Sequence, residues 1–267
     1  MSVIHPERPS LPARFRSPSI GAWLILIAFL AFLVQGIAAA ELTPERIWRG
    51  ATNLWRFLSL AFPPDLSRLD IIAKAMLETL NMAIVGVTFG VILSVPFAIL
   101  TARNTCGIGW LRNAVKLAVA VMRTVPDLIW ALIFVVAVGL GPLAGILAIV
   151  VDTIGFCARF FAERIEEVQK GPTEGLTSTG ASRSSIIMGA ILPETLASMT
   201  ATSLFSVEKA IRSAVTLGLV GAGGIGVELS TAMRLFRFDQ ALTIILVILV
   251  VVVGFEQISA AIRRKVI

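Results

Sequence analysis

The chain has 267 residues, 57% of them hydrophobic and only 15% charged, with 23 Lys and Arg against 17 Asp and Glu for a net charge of +6. Soluble domains carry about 25% charged residues, and a chain of this size cannot hide so much apolar surface from water. An ordinary soluble enzyme, a disordered tail and, with two Cys, a disulfide scaffold are therefore excluded.

A pI near 10.1 would suit a nucleic-acid binder if the basic residues formed one patch. They alternate instead with long apolar segments, so the expected surrounding is membrane lipid and no nucleic-acid partner is expected. A bilayer core needs about 20 apolar residues per helix, with the backbone bonded inside the segment. The first candidate is 20–40, uncharged between Arg16 and Glu41. A signal peptide cleaved at Ala38-Ala39-Ala40 is the rival reading, but the apolar run is too long for one. Within 41–78, Ile47, Trp48, Leu54, Trp55, Leu58 and Phe62 recur at roughly helical spacing. That pattern predicts a helix lying on the outer surface, with Trp at the interface. Phe62-Pro63-Pro64-Asp65 ends it, because paired prolines cannot continue a helix.

Further spans are predicted at 79–102, 114–139, 143–156, 186–220 and 241–262. Together they make an all-α polytopic membrane protein of about six transmembrane helices. Gly139-Leu140-Gly141-Pro142 is a tight break between the third and fourth. Orientation follows from the Lys/Arg bias. Arg8, Arg14 and Arg16, then Arg103, Arg112 and Lys116, then Arg159, Arg164, Lys170 and Arg183, and last Arg263, Arg264 and Lys265 fall on one side. The opposite loops hold the smaller set Arg46, Arg49, Arg56, Arg68, Lys74, Arg234 and Arg237, partly offset by acidic neighbours. Both termini are thus expected in the cytoplasm. Cys106 and Cys157 fall near the cytoplasmic face, where disulfides are uncommon. His5 is alone, and no nucleophile, base and acid occur together, so no metal site and no catalytic residue is expected.

The polar stretch 163–193 between the fourth and fifth spans is the most informative. Pro172 suits the first turn of a helix and Glu174 its dipole. Gly175, Thr177, Ser178, Gly180 and Ala181 leave little side chain in the way, so a short helix there can seat in a groove on another protein. A merely solvated connection is the plainer reading of the composition. Pro193 then ends or kinks the chain as it re-enters the bilayer.

Glu174, Gly180, Leu192 and Pro193 resemble the EAA loop of binding-protein-dependent ABC importer permeases, with Gly175 and Leu176 at the two Ala positions and Ala190 at the usual Ile position. Further segments look like phosphonate-type permeases: Phe62 to Asp65, Ala102-Arg103-Asn104, Val125 to Val135, Gly139 to Pro142, Leu217 to Gly226 and Arg237 to Leu242. The resemblance runs collinearly from about residue 55 to the C-terminus. It implies a MetI-like type I importer fold, with 1–70 as cytoplasmic N-terminus, first span and outer helix, and 71–267 as the permease domain. It also implies a second permease subunit, by default a second copy, two cytoplasmic ATPases and a periplasmic substrate-binding protein, in the bacterial inner membrane. The loop would be the coupling helix docked in the ATPase, and ATP and Mg would belong to that partner, because a Walker A lysine motif is missing here. Gly221, Gly223 and Gly226 also satisfy a dinucleotide fingerprint, but the strand that it requires is missing from the pattern. With Gly224 they read as packing or bending points at an outer gate.

Ionisable residues at membrane depth cost roughly 2.5–3.5 kcal/mol or more, so they face a cavity or a partner. Arg123 and Asp127, and likewise Glu208 and Arg212, stand four apart, a spacing that sets opposite charges on one helical face. Structural pairing is one reading. A cationic path for an oxyanion is the other, since a guanidinium matches phosphorus-bound oxygens bidentately. The family pattern commonly carries Asn where Ala210 stands and His where Asp152 stands. Those departures would suit a smaller anion, phosphite or hypophosphite, beside an organophosphonate. Two other classes of function stay open: an ion-coupled secondary transporter using Asp127, Asp152 or Glu208, and a non-transporting assembly factor.

Overall fold

The computed structural model describes residues 19–266. The chain divides into two compact units, one up to Leu58 and one from Ser59. In the first, α1 (Ile20–Ala39) is apolar all round, and the Ser19 hydroxyl accepts the Ala22 N–H to cap it. A helix with no polar face and no buried residue needs an apolar solvent around it. α2 (Pro44–Ala61) is the helix expected there and is amphipathic, with Ile47, Trp48, Leu54 and Trp55 exposed and an Arg49–Glu45 ion pair on its polar side.

The second unit is built on α3 (Leu69–Thr101) and α6 (Pro142–Glu166). Their seam is made by small residues: a Cβ on Gly86 would come within 2.8 Å of Ile149 Cβ, and one on Gly90 would meet Thr153. Where lipid removes the hydrophobic drive between helices, such close backbone approach is what holds them. α3 has 33 residues, roughly 50 Å at 1.5 Å per residue, so it projects well beyond a 30 Å hydrocarbon core. α9 (Leu192–Gly218) packs on both α3 and α6, and α11 (Phe238–Val266) packs on α9. α10 (Ile225–Arg234) bridges α9 and α11. Met82, Ile149, Ile211, Leu217 and Ile225 fill the core.

Among the described residues four helices, α1, α3, α6 and α11, are long and apolar enough to cross a membrane. The segment expected as a third span is two helices, α4 (Gly109–Thr124) and α5 (Asp127–Val138), bent by 95° and making a fifth crossing if taken together. Pro126 explains the break, because the residue before a proline is pushed out of the α region, and Val125 is extended. The Trp130 indole N–H donates to the Met122 carbonyl at 3.3 Å, satisfying one acceptor near the end of α4. The expected fifth, α9, is long enough, but Glu208, Lys209 and Arg212 make it too polar to count as an apolar span.

One end of this unit gathers the Gly139–Pro142 turn, the loop after α9 and the start of α11. The opposite end gathers the ends of α3 and α6 with α7 (Lys170–Ser178) and α8 (Arg183–Ile186). Arg8, Arg14, Arg16 and His5 lie outside the described residues.

Candidate functional site

α9 carries the charges that matter, and its neighbours supply their partners. The Glu208 carboxylate, 9% exposed, accepts from Arg212 at 2.9 Å on its own helix, so the four-residue spacing does make that pair. It also lies 3.5 Å from Arg263 of α11. Lys209, one residue on, donates to both carboxylate oxygens of Asp152 on α6 at 2.8 Å and stands 5.2 Å from the Phe156 ring centroid. Phe156 in turn stacks on Phe205 of α9, and Cys157 Sγ lies 3.0 Å from Ser206 Oγ. The result is a ladder of contacts locking α9 to α6 and α11.

Two members of this ladder escape sequence reasoning. Lys209 has no acidic residue three or four positions away on its helix to suggest a partner, and Arg263 reads only as a cytoplasmic marker. Asp152 and Lys209 stand 57 residues apart, a separation for which local periodicity holds no signal.

The expectation that Arg123 and Asp127 share a helical face is overturned. The bend at Val125-Pro126 falls between them. Asp127 opens α5, where its Oδ1 accepts the Leu128 N–H and its Oδ2 accepts the Ser213 hydroxyl of α9. Arg123 ends α4 and lines a separate cavity with Thr101, Lys116, Arg159 and Glu163.

The four glycines expected at an outer gate stand in a tightly held loop. Gly221, Gly223 and Gly224 have φ of +88°, +89° and +74°, a left-handed region that costs other residues about 1–2 kcal/mol. The loop is tied to α3 by Gly224 N–H to Glu78 Oε1 at 3.1 Å and Ile225 N–H to Thr79 Oγ1 at 2.8 Å. Gly141 N–H donates to the Gly221 carbonyl at 3.0 Å, fixing the turn before α6. Gly226, in the first turn of α10, lies so close to α9 that a Cβ would sit on the Val215 carbonyl oxygen and 2.8 Å from Gly218 Cα. At the same end the Phe62–Asp65 turn meets the start of α11. Gln240 donates to the Asp65 carboxylate at 3.1 Å and Thr243 to its carbonyl at 2.8 Å. Hydrogen bonds from the Ser67 backbone and hydroxyl hold the Asp65 carboxyl below its ordinary value of 3.8.

At the opposite end, α7 has no buried residue. Glu174 and Gly175 are exposed, and Leu176 is half-buried and turned to Gly189. Gly180 has φ +80°, its N–H donates to the Thr177 carbonyl at 3.0 Å, and the Ala181 N–H donates to Leu176 at 3.3 Å. Those two bonds form a Schellman ending, which needs a left-handed residue and explains the glycine. The chain then re-enters through α8 and a π-helical turn, Ile187–Ile191. Leu192 and Pro193 open α9, the proline at a position where its missing N–H is harmless and the preceding turn is widened. Gln169 N–H donates to Glu194 at 3.3 Å, joining the start of α7 to the start of α9.

Residues 94–267 match the model of a family described as "Binding-protein-dependent transport system inner membrane component". The chain is 37% identical over 237 residues to HtxC of Stutzerimonas stutzeri, named for a phosphite transport system, covering 89% of this chain and 84% of that one. It is 30% identical over 269 residues to the phosphite transport system permease protein PtxC of the same organism, covering 97% and 98%. It is 37% identical over 226 residues to the phosphate-import permease protein PhnE of Mycolicibacterium smegmatis, covering 85% of this chain but only 42% of PhnE. Among solved structures, an inward-facing MetNI methionine ABC transporter chain superposes with a TM-score of 0.66 at 21% identity, over 76% of this chain and 99% of that chain. That likeness establishes the MetI-like fold.

Proposed function

This chain belongs to the binding-protein-dependent transport system inner membrane component family, and from that premise we propose that it is the permease subunit of an ATP-driven importer carrying a phosphorus oxyanion, phosphite or a phosphonate, into the cytoplasm. The observation that carries this reading is the nearly end-to-end similarity to PtxC. The assembly holds two copies of this chain, two ATPase subunits that bind ATP and Mg and hydrolyse the nucleotide, and an extracytoplasmic binding protein. A two-fold pair of identical subunits is the default for such an arrangement. The α7 end faces the cytoplasm together with both termini, as the basic residues around it favour.

α7 offers a free surface of small side chains and one carboxylate, Glu174, for the ATPase groove. A push on α7 reaches the start of α9 through the Gln169–Glu194 bond and the π-helical turn. α9 then moves as a rod. Its internal pair, Glu208–Arg212, travels with it, whereas Lys209–Asp152 and Glu208–Arg263 cross between helices and must open or re-form. An oxyanion that replaces a carboxylate on these cations favours one of the two arrangements, which is the differential binding that alternating access requires. Gly221, Gly223, Gly224 and Gly226 form the seat against which the outer end of α9 closes.

The test is uptake by vesicles holding the whole transporter, binding protein included, with labelled phosphite, hypophosphite, methylphosphonate and phosphate. ATP-dependent, vanadate-sensitive uptake of a phosphorus oxyanion is expected. Uptake that persists without the ATPase and follows a proton or sodium gradient would replace this reading with ion-coupled transport.

A further inference from the structure

The cavity that receives Arg123 lies between the end of α3, the length of α4 and the last turns of α6, and measures about 420 Å³. Its walls hold four cations, Arg103, Lys116, Arg123 and Arg159, against two carboxylates, Glu163 and Glu166. Both carboxylates are already engaged. Glu163 takes Arg159 at 2.7 Å, and Glu166 accepts the backbone N–H of Arg103 at 2.8 Å. Among the described residues no carboxylate lies within 4.0 Å of the charged groups of Arg103, Lys116 or Arg123. Three cations without counter-ions around one pocket repel each other, and an anion relieves that repulsion.

The position of the cavity says which anion. Asp152, Arg159, Glu163 and Glu166 are spaced seven, four and three residues apart and so form one stripe along α6. The Asp152–Lys209 pair and the cavity are therefore two levels of a single charged track, about 10 Å apart at 1.5 Å per residue. The walls add only Val119, Ala120 and Ala162 as apolar surface, too little to hold an acyl chain but enough to exclude water from one side of a small ion.

We propose that this cavity is a second oxyanion station, which takes the phosphorus oxyanion after it leaves the Asp152–Lys209 level and before release at the α7 end. It deepens the transport reading above and rests on it. The arginines grip the oxygens in pairs and Lys116 adds a point charge.

The experiment uses the whole transporter in vesicles of defined lipid, with Ala120→Cys placed on the cavity wall, the native Cys106→Ser exchanged and the buried Cys157 left in place. Labelling of Cys at 120 by a membrane-impermeant thiol reagent from the α7 side is timed with phosphite, methylphosphonate, phosphate or sulfate. Phosphorus oxyanions are expected to slow it. Lys116→Gln or Arg123→Gln each shift the protecting concentration upward on the order of tenfold, the scale of one charge-assisted contact. ATP-driven uptake by the same vesicles is read in parallel. Normal uptake with labelling indifferent to every oxyanion overturns the station and leaves the transport reading intact. Protection that follows the anionic lipid content and ignores free anions also overturns it, in favour of a headgroup site. Protection equal for sulfate and phosphite overturns the specificity. Uptake of none of the phosphorus oxyanions overturns the transport reading itself.

Discussion

Two glycine-bearing segments stand at opposite ends of the second unit, and their glycines serve different purposes. In the loop after α9, Gly221, Gly223 and Gly224 are both left-handed and enclosed, and Gly226 has no room for a Cβ between α9 and α10. Around α7, Gly171, Gly175 and Gly180 have nothing within 4 Å of a built Cβ, and only Gly180 has a positive φ. One loop is closed by its own packing. The other is complete as a fold yet leaves its surface free, as expected of a segment whose partner is another protein. The charged ladder on α9 lies between them.

The sharpest way to break this contrast is Gly226→Ala. The new methyl must displace backbone of α9, so a loss at or above the usual 1–3 kcal/mol of overpacking is expected, read as a collapse in the yield and melting temperature of the purified complex. A wild-type melting temperature would show that the closed end is not closed. Next comes Lys209→Met, which strands Asp152. Breaking a buried pair costs about 3–5 kcal/mol, and the partial exposure here, 36% and 20% for the two side chains, puts the loss below that range. Asp152→Asn in the same chain should recover much of the stability but not uptake, with a coupling of about 0.5–3 kcal/mol in the double-mutant cycle.

The free end should respond more weakly in stability and more strongly in coupling. Gly180→Ala forces a Cβ into the left-handed region at about 1–2 kcal/mol, and the expected result is a folded permease that no longer copurifies with its ATPase. Gly175→Ala is the converse. Inside a helix with open space it should stabilise α7 by roughly 0.5–1 kcal/mol, measured as a melting temperature of the permease slightly above that of wild type. The smallest effect is at Asp65. Because its carboxyl is held below 3.8 in the fold, the ionised form adds stability that is present above that pH and lost as the pH falls below it. The melting difference between wild type and Asp65→Asn should therefore shrink on acidification below pH 3.8; a difference independent of pH would remove the carboxylate from the argument.

Several features could be read directly from the chain. The amphipathic helix ending before Pro63-Pro64, the short polar helix containing Glu174, and the re-entry at Pro193 are local events governed by residues within one or two turns. The division at Pro126 was missed, because an apolar run on both sides made 114–139 look like one span. Apolarity reports affinity for lipid and is blind to direction, so a 95° bend leaves hydropathy unchanged. The glycine loop was legible as unusual backbone, and its hydrogen bonds to Glu78 and Thr79, residues more than a hundred positions away, were not.

The charges divide in the same way. Glu208 and Arg212 meet because they are four apart on one helix, and the sequence alone determined that pair. Their surroundings depended on tertiary structure: α6 brings Asp152 to Lys209, α11 brings Arg263 to Glu208, and the bend sends Arg123 away from Asp127 into a cavity shared with Arg103, Lys116 and the Arg159–Glu163 pair. Composition and periodicity determined that this is a bundle of membrane helices with a few charges at costly depths, because the apolar solvent and the 3.6-residue turn act on every segment separately. Which of those charges neutralise each other, and which are left without a carboxylate partner, was decided only when small residues let the helices pack and fixed their rotation about one another.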